Sequence, residues 1–330
     1  MTGEKGVILS GMRPTGKLHL GHLVGALENW VGLQDTFKCY FLVADYHVLT
    51  TGFDKSRDIP VNTHEMVCDW LSVGLDPERS TFLVQSRVPE HSELNLILSM
   101  ITPMPWVERN PTLKEMIADL DLTGKIHFGL MGYPILQAAD ILLYRADLVP
   151  VGEDQVAHIE MTREIARRFN NLYSTVFPEP KAKLTSTPRL PGTDGKKMSK
   201  SLGNCIYISD NDEAVKAKVR QMVTDPKKIR RGDPGRPEVC SVYSYHEIFN
   251  AAENGDIAAG CRSGQLGCVE CKGRLSGAIG RRLDPIRERR KAYEDDPLKV
   301  KRLLAEGSEL AARRARETMA LVRGAMGMEK

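Results

Sequence analysis

The chain has 330 residues, 42% hydrophobic and 27% charged, with a formal net charge of +3, enough apolar chain for a substantial core and a length that suits two domains. No run of about 18 apolar residues occurs, which excludes a membrane-spanning helix, and the start Met1-Thr2-Gly3-Glu4-Lys5 lacks the basic-then-apolar layout of an export signal, so a cytoplasmic protein is expected. The net charge conceals an asymmetry: residues 1–215 carry 21 basic and 27 acidic side chains, residues 216–330 carry 25 and 16. A docking surface for a polyanion and a solvated helical surface both give such a count.

In chain order, Gly6-Val7-Ile8-Leu9, Cys39-Tyr40-Phe41-Leu42-Val43-Ala44 and Thr81-Phe82-Leu83-Val84-Gln85 are short apolar runs, each followed by a helical pattern, as buried parallel strands are. The second helix takes its apolar stripe from Val61, Met66, Val67, Trp70 and Leu71 and its stop signals from Gly74 and Pro77. Leu148-Val149-Pro150-Val151, followed by a helix from about Glu153 to Phe169, extends the alternation. The expected fold class is α/β: a Rossmann-like parallel sheet. After Pro178 the composition turns to Lys, Thr, Pro and Gly through Asn204 and predicts a long mobile loop; from Asp212 onward the pattern is helical and charge-rich.

Neither a Walker loop nor a Gly-x-Gly-x-x-Gly turn is present. Instead, Ser10-Gly11-Met12-Arg13-Pro14-Thr15-Gly16-Lys17-Leu18-His19-Leu20-Gly21-His22 follows the first strand and opens a helix, placing two histidines at its positive end. His19 and His22, three apart, share a face, and Gly21 removes a side chain where a ligand could approach. Neutral imidazoles can donate to phosphate oxygens; a metal pair or two surface histidines share the same spacing.

In the helical segment from Gly132 to Tyr144, with Pro134 in the first turn, Tyr133, Gln137 and Asp140 fall on one face among apolar residues. A buried Asp140 carboxylate requires a donor, which an indole N–H or a core side chain could supply, and Ala138 and Ala139 leave room for a large ring. Further on, Gly195-Lys196-Lys197-Met198-Ser199-Lys200-Ser201 is a basic loop with two hydroxyls, the composition of a solvated linker or of a phosphate grip.

Of seven cysteines, Cys39, Cys68 and Cys205 read as isolated core thiols, while Cys240-x20-Cys261-x6-Cys268-x2-Cys271 forms a cluster with Gly260, Gly264, Gly267 and Gly273 available for tight turns. Four thiolates suit tetrahedral Zn²⁺ or an iron–sulfur cluster, and spacing does not separate the two.

His19-Leu20-Gly21-His22 paired with Lys197-Met198-Ser199-Lys200-Ser201 resembles the double signature of class I aminoacyl-tRNA synthetases. Ala138-Ala139-Asp140-Ile141-Leu142-Leu143-Tyr144 and Val149-Pro150-Val151-Gly152-Glu153-Asp154-Gln155 with His158 resemble the tryptophanyl-tRNA synthetases over nearly the whole chain. That resemblance implies activation of L-tryptophan with ATP and Mg²⁺ and its transfer to tRNA(Trp). It implies a catalytic domain over residues 1–205 and a mostly helical anticodon-binding domain over 206–330, in a homodimer. It assigns the phosphates to His19 and His22, the pyrophosphate to Lys197 and Lys200, and further ATP contacts to Arg13, Thr15, Gly21, Met198 and Ser199, with Gly152 and Asp154 beside the ribose. Asp140 would read the indole nitrogen. Tyr133 and Gln155 would hold the α-amino group or carboxylate, and Leu9, Gly11, His47 and Gln137 would complete the pocket.

Some members of the family carry a [4Fe-4S] cluster on a similar four-cysteine insertion, which favours that centre over Zn²⁺ at Cys240, Cys261, Cys268 and Cys271. The cluster would organise a basic surface around Lys272, Arg274, Arg281 and Arg282 near the anticodon. Two features depart from the pattern. The spacing of Tyr133, Gln137 and Asp140 also resembles tyrosyl-tRNA synthetases, and many bacterial tryptophan enzymes have a second lysine two positions after the equivalent of Lys114, where this chain has Met116, leaving Arg13 as the substitute phosphate ligand. A non-catalytic RNA-binding iron–sulfur paralogue and a small-molecule nucleotidyltransferase are the readings from other classes. The intact His19, His22, Lys197 and Lys200 oppose the first, and the basic second half opposes the second.

Overall fold

The apolar runs become strands because their residues are covered from both sides. In the computed structural model, which describes residues 5–119, 121–122, 124, 126–184 and 190–328, five parallel strands form one sheet in the order β3-β2-β1-β4-β5. They are β1 (Val7–Met12), β2 (Lys38–Val43), β3 (Ser80–Val84), β4 (Leu148–Val151) and β5 (Lys181–Leu184). Successive side chains alternate between faces: Leu9, Tyr40, Leu42 and Leu83 enter one core, Ile8, Cys39, Phe41, Val43, Phe82 and Val84 the other.

The helices are α1 (Leu20–His22, continued by a π-helical Leu23–Leu27 and by Glu28–Leu33), α2 (Asp45–Gly52), α3 (Ile59–Val73), α4 (Glu90–Ile101), α5 (Met104–Glu108), α6 (Pro111–Asp119), α7 (Phe128–Leu143) and α8 (Val156–Leu172). Then follow α9 (Asp212–Gln221), α10 (Ser241–Phe249), α11 (Asn254–Arg262), α12 (Cys268–Glu294) and α13 (Pro297–Ala325). The first core is closed by α4, α7, α8 and α13, the second by α1, α3, α9 and α12. The last helix returns to the sheet: a Cβ at Gly307 would lie 1.9 Å from the Phe82 carbonyl oxygen, and the Ser308 hydroxyl accepts the Val84 N–H at 3.1 Å. The helical second half therefore packs into both cores.

Four local expectations change. Strand β1 runs on to Met12, because Ser10, Gly11 and Met12 pair with Phe41, Leu42 and Val43. Helix α7 starts at Phe128, so Pro134 lies inside it and removes one backbone bond there. Val61 points to solvent, and the buried stripe of α3 is Met66, Val67, Trp70 and Leu71. Within the stretch expected as a mobile loop, β5 forms the sheet edge, its Lys-Ala-Lys-Leu sequence lacking the apolar run of a central strand. Residues 185–189 of that stretch and residues 1–4 lie outside the described residues.

Candidate active site

The two distant signature segments are joined through the backbone. Leu20 N–H donates to the Ile206 carbonyl and Ile208 N–H to the Leu18 carbonyl, both at 2.9 Å, with an antiparallel bridge from His19 to Tyr207. Ile206 and Ile208 are fully buried, so the pairing is anchored in the second core. The lysine loop is held by buried Asn204: its Oδ1 accepts Ser199 N–H at 2.8 Å, and its Nδ2 donates to Asp194 at 2.8 Å and to the Lys197 carbonyl at 3.1 Å.

This pairing brings the Lys200 ammonium onto the histidine motif. Lys200 Nζ donates to the Thr15 carbonyl and hydroxyl at 3.0 Å and to the Gly16 carbonyl at 3.1 Å. The His19 and His22 rings lie 3.8 Å apart, and a Cβ at Gly21 would approach both the His19 ring and the Met198 sulfur. Burial, reinforced by Lys200, lowers the His19 pKa to about 4; burial, His19 and Lys200 hold His22 well below the usual histidine value. Both rings are neutral at pH 7 and can donate an N–H to an anion. His19 Nδ1 and Arg13 Nε are buried without a hydrogen-bond partner among the described residues. Lys197 points elsewhere, exposed and 3.3 Å from Asp119 on α6.

A cavity of about 340 Å³ lies at the carboxyl end of β1 and β4, where the segment carrying the histidine motif begins, in the crevice where open α/β sheets bind ligands. It is lined by Leu9, Gly11, Arg13, Trp30, His47, Met116, Tyr133, Gln137, Asp140, Gly152 and Gln155, among others. Every residue expected to form the amino-acid pocket is in that wall, and Arg13 and Gly152, expected to touch ATP, are there too. Thr15, Gly21, His22, Asp154 and the lysine loop are outside the wall.

Asp140 is nearly inaccessible, yet its carboxylate is fully engaged: Gln85 Nε2 donates to both oxygens at 2.8 and 2.9 Å, His91 Nδ1 lies 2.6 Å from Oδ1 and His47 Nε2 2.9 Å from Oδ2. Burial works to raise the carboxyl pKa, but the charge of His91 and the hydrogen bonds from His47 and His91 outweigh it and hold it below the usual range. Tyr133 is fixed from behind. Asn110 Nδ2 donates to His158 Nδ1 at 3.0 Å, which leaves the neutral ring's Nε2–H to donate to the Tyr133 oxygen at 2.7 Å and frees the phenol proton for a ligand. Arg13 donates to the Thr51 hydroxyl at the end of α2. Gln85, His91, Asn110 and Thr51 were absent from the expected site.

The four clustered cysteines sit at the start of α10, in α11 and in the first turn of α12. They are near enough that burial and the other three sulfurs raise the Cys271 thiol to about 12. Of the four glycines expected to bend this region, only Gly264 has a left-handed backbone, and its would-be Cβ meets the Gly232 carbonyl at 2.2 Å. As the sulfurs are arranged, no group of three or more His, Cys, Asp or Glu side chains among the described residues is disposed to hold a metal ion. In the expected basic surface, Lys272 Nζ caps carbonyls of Arg220 and Met222 near the end of α9, while exposed Arg274 pairs with Glu270 and exposed Arg282 with Glu28. Arg230 and Arg231, with exposed Ile229 and Val269, line a surface depression beside Cys268 as well.

The sequence matches the family described as tRNA synthetases class I (W and Y) over residues 1–284. It is 49% identical to the tryptophan–tRNA ligase of Thermotoga maritima, with 97% of this chain and 99% of the relative covered. It is 44% identical to that of Aquifex aeolicus, again covering 97% and 99%. The fold superposes on the tryptophanyl-tRNA synthetase of Campylobacter jejuni complexed with ADP and tryptophan with a TM-score of 0.86, at 31% identity over 97% of this chain and 99% of that one. With the signature segments paired through the backbone and these matches over nearly its whole length, the chain belongs to the tryptophan–tRNA ligases, class I aminoacyl-tRNA synthetases.

Proposed function

We propose that the cavity holds L-tryptophan and the adjoining cleft ATP with Mg²⁺, and that tRNA(Trp) receives the activated amino acid. The observation that carries this reading is the Lys200 ammonium on Thr15 and Gly16, beside two neutral histidines, with the tryptophan-sized cavity next to them. A tryptophan carboxylate oxygen attacks the α-phosphorus, the bond to the β-phosphate breaks, and pyrophosphate leaves with the electron pair. His19 and His22 donate to phosphate oxygens while Lys200 and Lys197 take up the charge gathering on pyrophosphate. Arg13, Thr15, Gly21, Met198 and Ser199 complete the phosphate side, and Gly152 and Asp154 flank the ribose. Asp140 reads the indole N–H, Tyr133 and Gln155 hold the amino-acid head group, and Leu9, Gly11, His47 and Gln137 shape the wall. Mg²⁺, when bound, shields the triphosphate charge.

Tryptophan-dependent ATP–pyrophosphate exchange tests the reading. Exchange with tryptophan is expected to exceed that with tyrosine by at least about a thousandfold in kcat/KM, since the buried Asp140 and its apolar wall are built for an indole donor. Equal exchange with tyrosine would make that amino acid the substrate, and none with either would leave a non-catalytic paralogue.

Residues 206–330 supply the RNA-binding side in this reading, supported by the excess of basic residues there and by the exposed Arg230, Arg231 and Ile229. The cysteines are the donor set of a thiolate-bound centre, [4Fe-4S] in preference to Zn²⁺. The convergence of the four cysteines from three helices on one region supports that assignment, although the sulfurs as arranged form no ligand set and no reaction step depends on one. A homodimer in the cytoplasm fits the exposed Leu96, Met100 and Met104 around α4 and the lack, among the described residues, of any helix long and apolar enough to cross a membrane. Iron, sulfide and zinc analysis of anaerobically purified protein, with its mass in solution, checks both: about four iron and four sulfide per chain and twice the chain mass are expected. Metal-free protein with full tRNA charging removes the cluster from the reading.

A further inference from the structure

Asp140 faces the cavity, but what aims it lies behind the wall. His91, at the start of α4, has no exposed surface and is not among the cavity-lining residues. One ring nitrogen, Nδ1, is 2.6 Å from Asp140 Oδ1; the other, Nε2, is 2.8 Å from the Tyr144 hydroxyl, itself fully buried and stacked on Tyr40 with ring centroids 4.7 Å apart. Two contacts on opposite sides of the ring leave it no freedom to turn. The imidazole thereby becomes a rigid strut between a buried tyrosine and the carboxylate.

A carboxylate offers about four acceptor positions. In the free protein all four are taken: Gln85 and His91 on Oδ1, Gln85 and His47 on Oδ2. His47 lines the cavity and a bound amino acid can reach it; Gln85 and His91 lie outside the wall. The position on Oδ2 that His47 holds is therefore the one a ligand can take over, and its direction is set from behind by Gln85 and His91.

We propose that His91, braced by Tyr144, is a positioning residue for substrate recognition: it orients the Asp140 carboxylate so that the Oδ2 position held by His47 in the free protein meets the indole N–H. This rests on Asp140 being the indole acceptor. His91 never touches the amino acid. Its effect should be confined to substrates that present a donor to Asp140, whereas a residue that merely fills the core would affect every amino acid alike.

The experiment compares tryptophan with β-(3-benzothienyl)alanine, an isostere in which sulfur replaces the N–H, by ATP–pyrophosphate exchange in wild type and in the Asp140→Ala, His91→Leu, His91→Asn and Tyr144→Phe variants. Wild type is expected to prefer tryptophan, and Asp140→Ala to abolish the preference. In His91→Leu the KM for tryptophan is expected to rise about 10- to 100-fold, the range of a lost hydrogen bond to a charged group, with the KM for the isostere within about threefold of wild type. His91→Asn, which keeps a donor at the position of Nδ1, should recover most of the preference; Tyr144→Phe should lose only part of it.

If Asp140→Ala abolishes the preference while His91→Leu raises both KM values in parallel or leaves them unchanged, His91 is a packing residue and the inference is overturned. If Asp140→Ala leaves the preference intact, the assignment of Asp140 itself is wrong and the inference falls with it. Should His91→Leu not fold, an unchanged preference in both His91→Asn and Tyr144→Phe overturns the inference.

Discussion

Replacing Lys200 by alanine is expected to lower kcat for tryptophan-dependent ATP–pyrophosphate exchange by two to three orders of magnitude, while the KM for tryptophan stays within about threefold of wild type. Without nucleotide, the ammonium is satisfied by three neutral oxygens of Thr15 and Gly16. Burial lowers its pKa, so water solvates it poorly. A charge kept in a partly desolvated cleft gains most where new negative charge appears, on the departing pyrophosphate, and gains little from the amino acid. Lys197 starts from the opposite condition, exposed and paired with Asp119, so Lys197→Ala is expected to cost only about tenfold, in keeping with a screened surface charge. Single-turnover adenylate formation separates this from slow product release. Equal losses in the two variants, or a loss confined to the KM for ATP, would refute the division of labour between the two lysines.

The residues legible in the sequence are those whose role leaves a local trace. Strands β1 to β4 are covered on both faces and so read as apolar runs; β5, on the edge, is polar and does not. Both signature segments were legible, but the reason they meet was not. It lies in the backbone pairing of Leu18 and Leu20 with Ile206 and Ile208, and nothing in a strand-like tetrad states its partner. His91 and Arg290 were missed for a shared reason: each is a polar residue in a charged stretch. Helical spacing carried the clue. His91, Leu94 and Leu98 lie on one buried face of α4, as Leu283, Ile286 and Arg290 do on α12. A single ionisable residue in register with an apolar stripe marks a buried partner, and here each one does.

Arg290→Ala is expected to destabilise the protein by about 3–5 kcal/mol in urea unfolding, among the largest single-site losses available to the fold. Arg290 is 2% exposed, and its guanidinium donates to Asp69, to Glu65 at 2.5 Å and to Glu294 at 2.7 Å, joining α12 to α3. Asp69 is fully buried, and its carboxylate also accepts the Leu18 N–H at 2.7 Å. Burial already raises the Asp69 pKa to about 7 against the pull of Arg290, so without the guanidinium the buried acid must take up a proton, and losing the partner of a buried ionisable group, more than the lost contact, dominates the cost. The double variant Arg290→Ala, Asp69→Asn should therefore regain about half of the loss, because the amide oxygen still accepts from Leu18 and no charge is left unpaired. Simple additivity of the two single variants would contradict this account. Leu18 directly precedes His19, so the same ion pair braces the histidine motif against the last turns of α12. Stability and adenylate formation are thus expected to fall together in Arg290→Ala and to recover together in the double variant, the behaviour of a single mechanical link between the C-terminal end of α12 and the histidine motif.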